Sequence, residues 1–341
     1  MIGIGVIGYG YWGPNLARCV AETEGCRLTG IADASAPALA RAAKRHPGAT
    51  LHQDWSSLVA DPATDAILIA TPVGTHHELA LAALCAGKHV IVEKPITASS
   101  EDAHRLIEEA ARRSRVLMVD HTFVYTSAVQ KIGEIIARGE LGEVFYYDST
   151  RVNLGLFQHD VNVIWDLAVH DLSVLDFLLK EQPLAVSASG AGHIRGRTEN
   201  MAHLSLFYPS GTVAYLNVNW LAPVKVRQTL IGGSKKMIVW NDLEPSEKVK
   251  IYDRGVTLGD GPETVAARIS YRSGDMWAPQ LSVKEALLTE IEHFVDCIAT
   301  GREPVTSGAS GLRVVETLEA ATASLRQRGH PVEIGQMRKV S

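Results

Sequence analysis

The chain has 341 residues, 46% hydrophobic and 21% charged, with a formal net charge of −5 and four cysteines. That length allows about two domains of ordinary globular composition, and the negative balance gives no global attraction to nucleic acid or to an anionic membrane surface. No apolar run approaches the roughly 18 residues of a membrane span, no signal peptide is evident, and Cys19, Cys26, Cys85 and Cys297 form no C-x-x-C pair, so a reducing, cytoplasmic setting is expected.

The first predicted strand, 2–7, runs straight into Gly8, Gly10 and Gly13, a G-x-G-x-x-G series followed by a helical stretch over 14–22. Such a turn binds a dinucleotide when each glycine has its own task. Gly8 allows the tight turn, Gly10 lets the backbone approach a pyrophosphate, and Gly13 lets the helix pack on the sheet. Pro14 suits a helix start because its missing N–H would be unpaired there, and the helix N-terminus favours the phosphates. A second strand over 27–32 ends at Asp33, where a carboxylate takes the ribose hydroxyls of NAD. Ala34 and Ser35 follow, with no arginine for a 2′-phosphate, so NAD is expected over NADP.

Further strands are predicted at 66–70, 89–92 and 116–119, alternating with helices at 36–45, 76–86 and 99–113. Continuous apolar strands alternating with helices imply a parallel sheet covered on both faces. The pattern changes near residue 120, dividing the chain into 1–120, which carries the dinucleotide fingerprint, and 121–341. The second part opens with a helix at 128–138, a strand at 144–150 and a helix at 161–179. Alternating strands dominate from 184 to 239, as antiparallel strands with one solvated or partner-facing side do. Residues 241–280 are the least regular, and helices close the chain at 283–300 and from about 309.

The strand at 89–92 leads into Glu93-Lys94-Pro95. Ligands of open parallel sheets sit outside the carboxyl ends of the strands, so Lys94 lies where it can hydrogen-bond a substrate oxygen near the nicotinamide. Asp166 and His170 stand at i, i+4 on a predicted helix and share a face. Imidazole suits proton transfer from an alcohol near neutral pH, and a carboxylate one turn away orients it. Arg151, Asn153, Gln158 and Asn162 form a polar stretch leading to that helix, of the kind that sugar hydroxyls demand. No group of Cys, His and carboxylate has metal-site spacing, so no metal is expected.

Taken together, the glycine fingerprint, Ala70-Thr71-Pro72 with Thr75-His76-His77, and Glu93-Lys94-Pro95 resemble the Gfo/Idh/MocA oxidoreductases, as do Gly139-Glu140-Leu141-Gly142-Glu143-Val144, the Trp165-Asp166-(x3)-His170-Asp171 segment and the closing Gly301-Arg302-Glu303-Pro304. The resemblance spans essentially the whole chain. It implies an α/β protein: an N-terminal Rossmann domain plus a C-terminal α/β domain with a large open, mostly antiparallel sheet, often used for oligomerisation, here into a homodimer or homotetramer. It further implies His170 as the acid/base, with Lys94 and Asp166 completing a catalytic trio. Tyr11, Trp12, Ala70, Thr71, Pro72, His76 and Glu93 are assigned with the glycines, Asp33 and Lys94 to cofactor binding, and His121, Tyr125, Arg151, Asn153 and Asn162 to the substrate. Many relatives carry an arginine where this chain has Val124, a departure that bears on the substrate wall. The expected substrate is a pyranose or nucleotide-activated sugar, the alternative a cyclitol such as inositol. An NAD-binding regulator without activity is the reading from another class, and Lys94, Asp166 and His170 argue against it.

Overall fold

A computed structural model of the chain describes residues 1–155, 161–194, 198–253, 255–258 and 269–335. Two compact units emerge, Met1–Thr126 with Lys284–Glu316, and Ser127–Val283 with Thr317–Ser341. The division read near residue 120 therefore differs in one respect: a late segment returns to the first unit.

In the first unit, β1 (Ile2–Ile7), α1 (Gly13–Glu22), β2 (Cys26–Ala32), α2 (Ala36–Arg45), β3 (Thr50–His52), α3 (Trp55–Ala60), β4 (Ala66–Ile69), α4 (His76–Cys85), β5 (His89–Glu93), α5 (Ser100–Arg113) and β6 (Leu117–Asp120) alternate as strand and helix. The strands form one sheet in the order β3-β2-β1-β4-β5-β6, parallel throughout. This is the doubly wound order in which the chain reverses direction between β1 and β4 and leaves a crevice at their carboxyl ends. Ile4, Val6, Ile67, Leu68, Val90 and Val92 are fully buried, as strands covered on both faces require. The short β3 and α3 have no counterpart among the predicted elements. Three residues, Thr-Leu-His, show too little periodicity to mark a strand.

The second unit contains α6 (Ser127–Ala137), β7 (Val144–Leu154), α7 (Val169–Leu179), β8 (Ala185–Ala191), β9 (Met201–Phe207), β10 (Val213–Asn219), β11 (Leu221–Gly233), β12 (Met237–Asn241), β13 (Val249–Tyr252), the hairpin of β14 (Gly255–Leu258) and β15 (Ile269–Arg272), and β16 (Met276–Trp277). After it come α8 (Ala286–Thr300), α9 (Gly308–Arg326) and β17 (Val332–Glu333). Nine strands form the large sheet, ordered β16-β13-β12-β11-β7-β10-β9-β8-β17. Only β7 and β10 pair in parallel among the described residues. The irregular stretch after 241 thus contributes two strands to the sheet and a separate hairpin.

One face of that sheet is apolar: Leu204, Leu216, Val218, Trp220 and Trp240 are buried on it. Its α7 side is tied down by Ser149 Oγ donating to Asp171 Oδ1 at 2.7 Å. Its α9 side is tied by Ala188 N–H donating to Ser324 Oγ at 2.8 Å. Phe207 and Tyr215, which alternate along β9 and β10 to the other face, are exposed. Among the described residues no helix is long and apolar enough to cross a membrane.

Candidate active site

The glycine turn behaves as its spacing demands. Gly8 has φ +94°, and a Cβ there would lie 2.5 Å from the Ala70 carbonyl oxygen; one on Gly13 would lie 2.0 Å from the Gly8 carbonyl oxygen. A Cβ on Gly10 would meet nothing within 4 Å. Two glycines are therefore needed for packing and the third leaves an open approach to the backbone, the cradle a pyrophosphate needs. The carboxylate of Asp33 accepts the Tyr9 N–H at 2.6 Å on Oδ2 and the Ser35 N–H at 2.7 Å on Oδ1. These bonds fix its orientation at the rim of a cleft lined by Gly8, Gly10, Asp33 and Thr71. Gln53 and Trp55 line the same cleft, and sequence reasoning missed both because Gln53 follows the unrecognised β3 and Trp55 opens the unrecognised α3. The residues present thus fit a dinucleotide.

His76 holds the cleft together from behind. It is buried, with Nδ1 2.9 Å from the Pro95 carbonyl oxygen and Nε2 2.8 Å from that of Thr71. Burial lowers its pKa, while the two carbonyls oppose that shift. It thereby joins the turn after β4 to the turn after β5. Thr71 Oγ1 and Thr75 Oγ1 lie 2.7 Å apart and brace the first of those turns.

At the end of β5, Glu93 accepts the Lys94 N–H at 3.0 Å, and Lys94 itself is half-buried. Tyr11 at the tip of the glycine turn is exposed, whereas the Trp12 indole Nε1–H donates to Asp120 Oδ2 at 2.9 Å. Trp12 thereby pins the head of α1 to the end of β6.

In the second unit, Asp166 and His170 are not on one regular helix. Ile164–Ala168 forms a π-helical turn that passes into α7, a distortion that concentrates at functional sites. Both residues are half-buried. Asp166 Oδ2 accepts the Trp220 Nε1–H at 3.0 Å, and Trp220 is buried in the sheet. A carboxylate held this way is preorganised to orient an imidazole.

Several expected substrate contacts lie in the interior. Arg151 is buried and pairs with Asp171 at 2.8 Å beneath the sheet. Tyr125 is buried, its hydroxyl 3.1 Å from Thr306 Oγ1. Burial, with the Glu290 charge nearby, pushes its phenol well above the ordinary value. His121 is likewise buried. Asn162 caps the π turn, its Oδ1 accepting the N–H groups of Ile164 at 3.1 Å and Trp165 at 3.3 Å. Arg151, Tyr125 and Asn162 thus have partners within the protein, and Val124 is core. Asn153 is half-buried on β7, and Gln158 lies outside the described residues.

Comparison with known proteins agrees with this arrangement. Residues 2–121 match the model of the GFO_IDH_MocA oxidoreductase family, NAD-binding Rossmann fold, and residues 129–239 match a GFO/IDH/MocA C-terminal domain. A UDP-N-acetylglucosamine 3-dehydrogenase of Acidithiobacillus ferrooxidans is 31% identical over 91% of this chain and 93% of its own. A scyllo-inositol 2-dehydrogenase (NAD(+)) of Bacillus subtilis is 23% identical, covering 98% and 95%. A solved structure of the Acidithiobacillus UDP-N-acetylglucosamine 3-dehydrogenase superposes with a TM-score of 0.81 at 28% identity, over 96% of this chain and 99% of that one. With the glycine cradle, Asp33 and the two sheets in place, the chain belongs to the Gfo/Idh/MocA family and is an NAD-dependent oxidoreductase.

Proposed function

We propose that the protein interconverts a secondary alcohol and a ketone on a pyranose sugar or nucleotide-activated sugar, with Lys94, Asp166 and His170 as its catalytic residues. The observation that carries this reading is the Asp166 carboxylate, fixed by the buried Trp220 indole with His170 four residues on. NAD supplies the hydride chemistry at nicotinamide C4. His170 takes the hydroxyl proton in oxidation and returns it in reduction, with Asp166 stabilising the imidazolium, while Lys94 hydrogen-bonds the reacting oxygen. The sugar-nucleotide choice is supported by the 31% identical relative, which acts on UDP-N-acetylglucosamine. A cyclitol is the second reading, supported by the inositol dehydrogenase relative. A small-molecule substrate, a homodimer or homotetramer and a cytoplasmic setting complete the proposal.

The test is NADH formation on a panel of free sugars, nucleotide sugars and inositols, followed by variants on the best substrate. His170→Ala and Lys94→Ala each lower kcat by about 10²–10⁴-fold, the usual contribution of a positioned acid/base group. NADH affinity, titrated by fluorescence, changes much less for His170→Ala. Near-normal kcat in His170→Ala reassigns the proton route, and no turnover on any panel member with intact NADH binding favours the regulator.

A further inference from the structure

Three carboxyl groups that catalysis does not use lie together inside the first unit. Glu93 ends β5, Asp120 ends β6, and Glu290 projects from α8, from a part of the chain 170 residues beyond Asp120. Asp120 and Glu290 are almost fully buried. The Glu93 carboxyl is enclosed too, although its residue as a whole is only half-buried.

The hydrogen bonds of the cluster are unequal. Asp120 is a double acceptor, from the Trp12 indole on Oδ2 and the Thr122 hydroxyl on Oδ1. Glu290 faces the Thr122 hydroxyl, which already donates to Asp120, and neither of its oxygens makes a well-formed hydrogen bond to a donor among the described residues. An ionised carboxylate buried without donors costs several kcal/mol, whereas a protonated one can itself donate. The groups facing Glu290 are Asp120 on β6 and Glu93 on β5, with the Tyr125 phenol in the turn that follows. Around the cluster's edge stand Lys94, beside Glu93, and the Cys19 thiol of α1, within electrostatic reach of Asp120. Among the described residues no group of His, Cys, Asp and Glu is set to hold a metal ion, and Lys94 stands beside Glu93, so a proton is what relieves the repulsion between Glu290 and Asp120.

We propose that Glu290 is a positioning residue for the cofactor: protonated, it donates to Asp120 and fixes the carboxylate that holds the Trp12 indole, and with it the glycine turn at the head of α1. A carboxylate has about four lone-pair sites. Trp12 and Thr122 fill two, and the Glu290 proton fills a third without adding a charge. Burial, then the neighbouring Asp120, pushes Glu290 well above the ordinary carboxyl value, and the same two causes in the same order act on Glu93. Raising the pH far enough removes the Glu290 proton. That sets a second negative charge against Asp120, loosens the Trp12 contact and adds repulsion close to a pyrophosphate. Stability has the same sign. Between the ordinary carboxyl value and the raised one the folded chain holds more protons than the unfolded chain, so stability declines as pH rises.

The proposal rests on NAD binding at the glycine turn and is tested without any sugar substrate, so its failure is separable from failure of the proposed reaction. NADH is titrated by fluorescence from neutral to alkaline pH. The parent protein loses affinity as pH rises. Glu290→Leu, which removes the donor, weakens NADH binding about tenfold at neutral pH, the scale of one hydrogen bond to a charged group. Glu290→Gln keeps an N–H donor and cannot ionise, so it restores most of that affinity and flattens the alkaline fall. In a Trp12→Phe background, Glu290→Leu adds no further loss, because the contact it supports is already gone. An unchanged alkaline fall in Glu290→Gln, parent-like affinity in folded Glu290→Leu, or additive losses with Trp12→Phe each overturns it.

Discussion

Asp33 shows how much one side chain decides about the cofactor. Its two oxygens are oriented by the N–H groups of Tyr9 and Ser35, which leaves acceptor capacity for a ribose diol and puts negative charge where NADP would carry a phosphate. Binding measured by calorimetry is therefore expected to favour NADH over NADPH. Asp33→Ser combined with Ala34→Arg reverses the preference, since it removes the repulsion and supplies a phosphate partner. Equal dissociation constants in the parent protein refute this account. The glycine turn and the place of Asp33 at a strand end were legible in the sequence because they are local: a turn, a close approach, a strand end. The partners of Arg151, Tyr125 and Asn162 were not. A polar residue looks the same in sequence whether it meets a substrate or a buried partner, and Asp171, Thr306 and the Ile164 N–H were not visible as partners.

At the scale of elements, the long alternating strands and the helices with apolar stripes declared themselves, while the three-residue β3 and the π turn did not. The π turn matters more, because it carries Asp166. A helical pattern over 161–179 gives the four-residue spacing of Asp166 and His170 but says nothing of a widened turn, whose cause is tertiary. Asn162 stands ahead of the turn and caps two of its N–H groups, and Trp220 from the sheet claims the Asp166 carboxylate within it. Asn162→Ala leaves the head of the turn uncapped and costs about 1 kcal/mol in urea unfolding, as other N-cap losses do. Its kcat falls while NADH affinity holds, because Asp166 and not the cofactor cleft loses its footing. Asn162→Ser, which keeps an acceptor, recovers most of both losses. A stability loss with no change in kcat means that the cap does not govern the placement of Asp166.

For the molecule as a whole, the nine-stranded sheet raises the question of its second face. The helices α7 and α9 bond to one face, burying Trp220, Leu216 and Leu204. On the other, Phe207 stands 39% and Tyr215 48% exposed, and Val213 pairs in register with Phe207. Large apolar side chains clustered on a sheet face mark an association surface more often than a solvated one, and a second copy of the same face satisfies it by two-fold symmetry. A dimer or tetramer joined through the strands around 212–220 is therefore expected in light scattering at micromolar concentration. Tyr215→Lys places like charges opposite each other across such an axis, so it shifts the protein toward monomer while leaving NADH binding in the first unit intact. A parent protein that is monomeric at micromolar concentration refutes the assembly. A Tyr215→Lys variant with unchanged mass moves the contact to another surface.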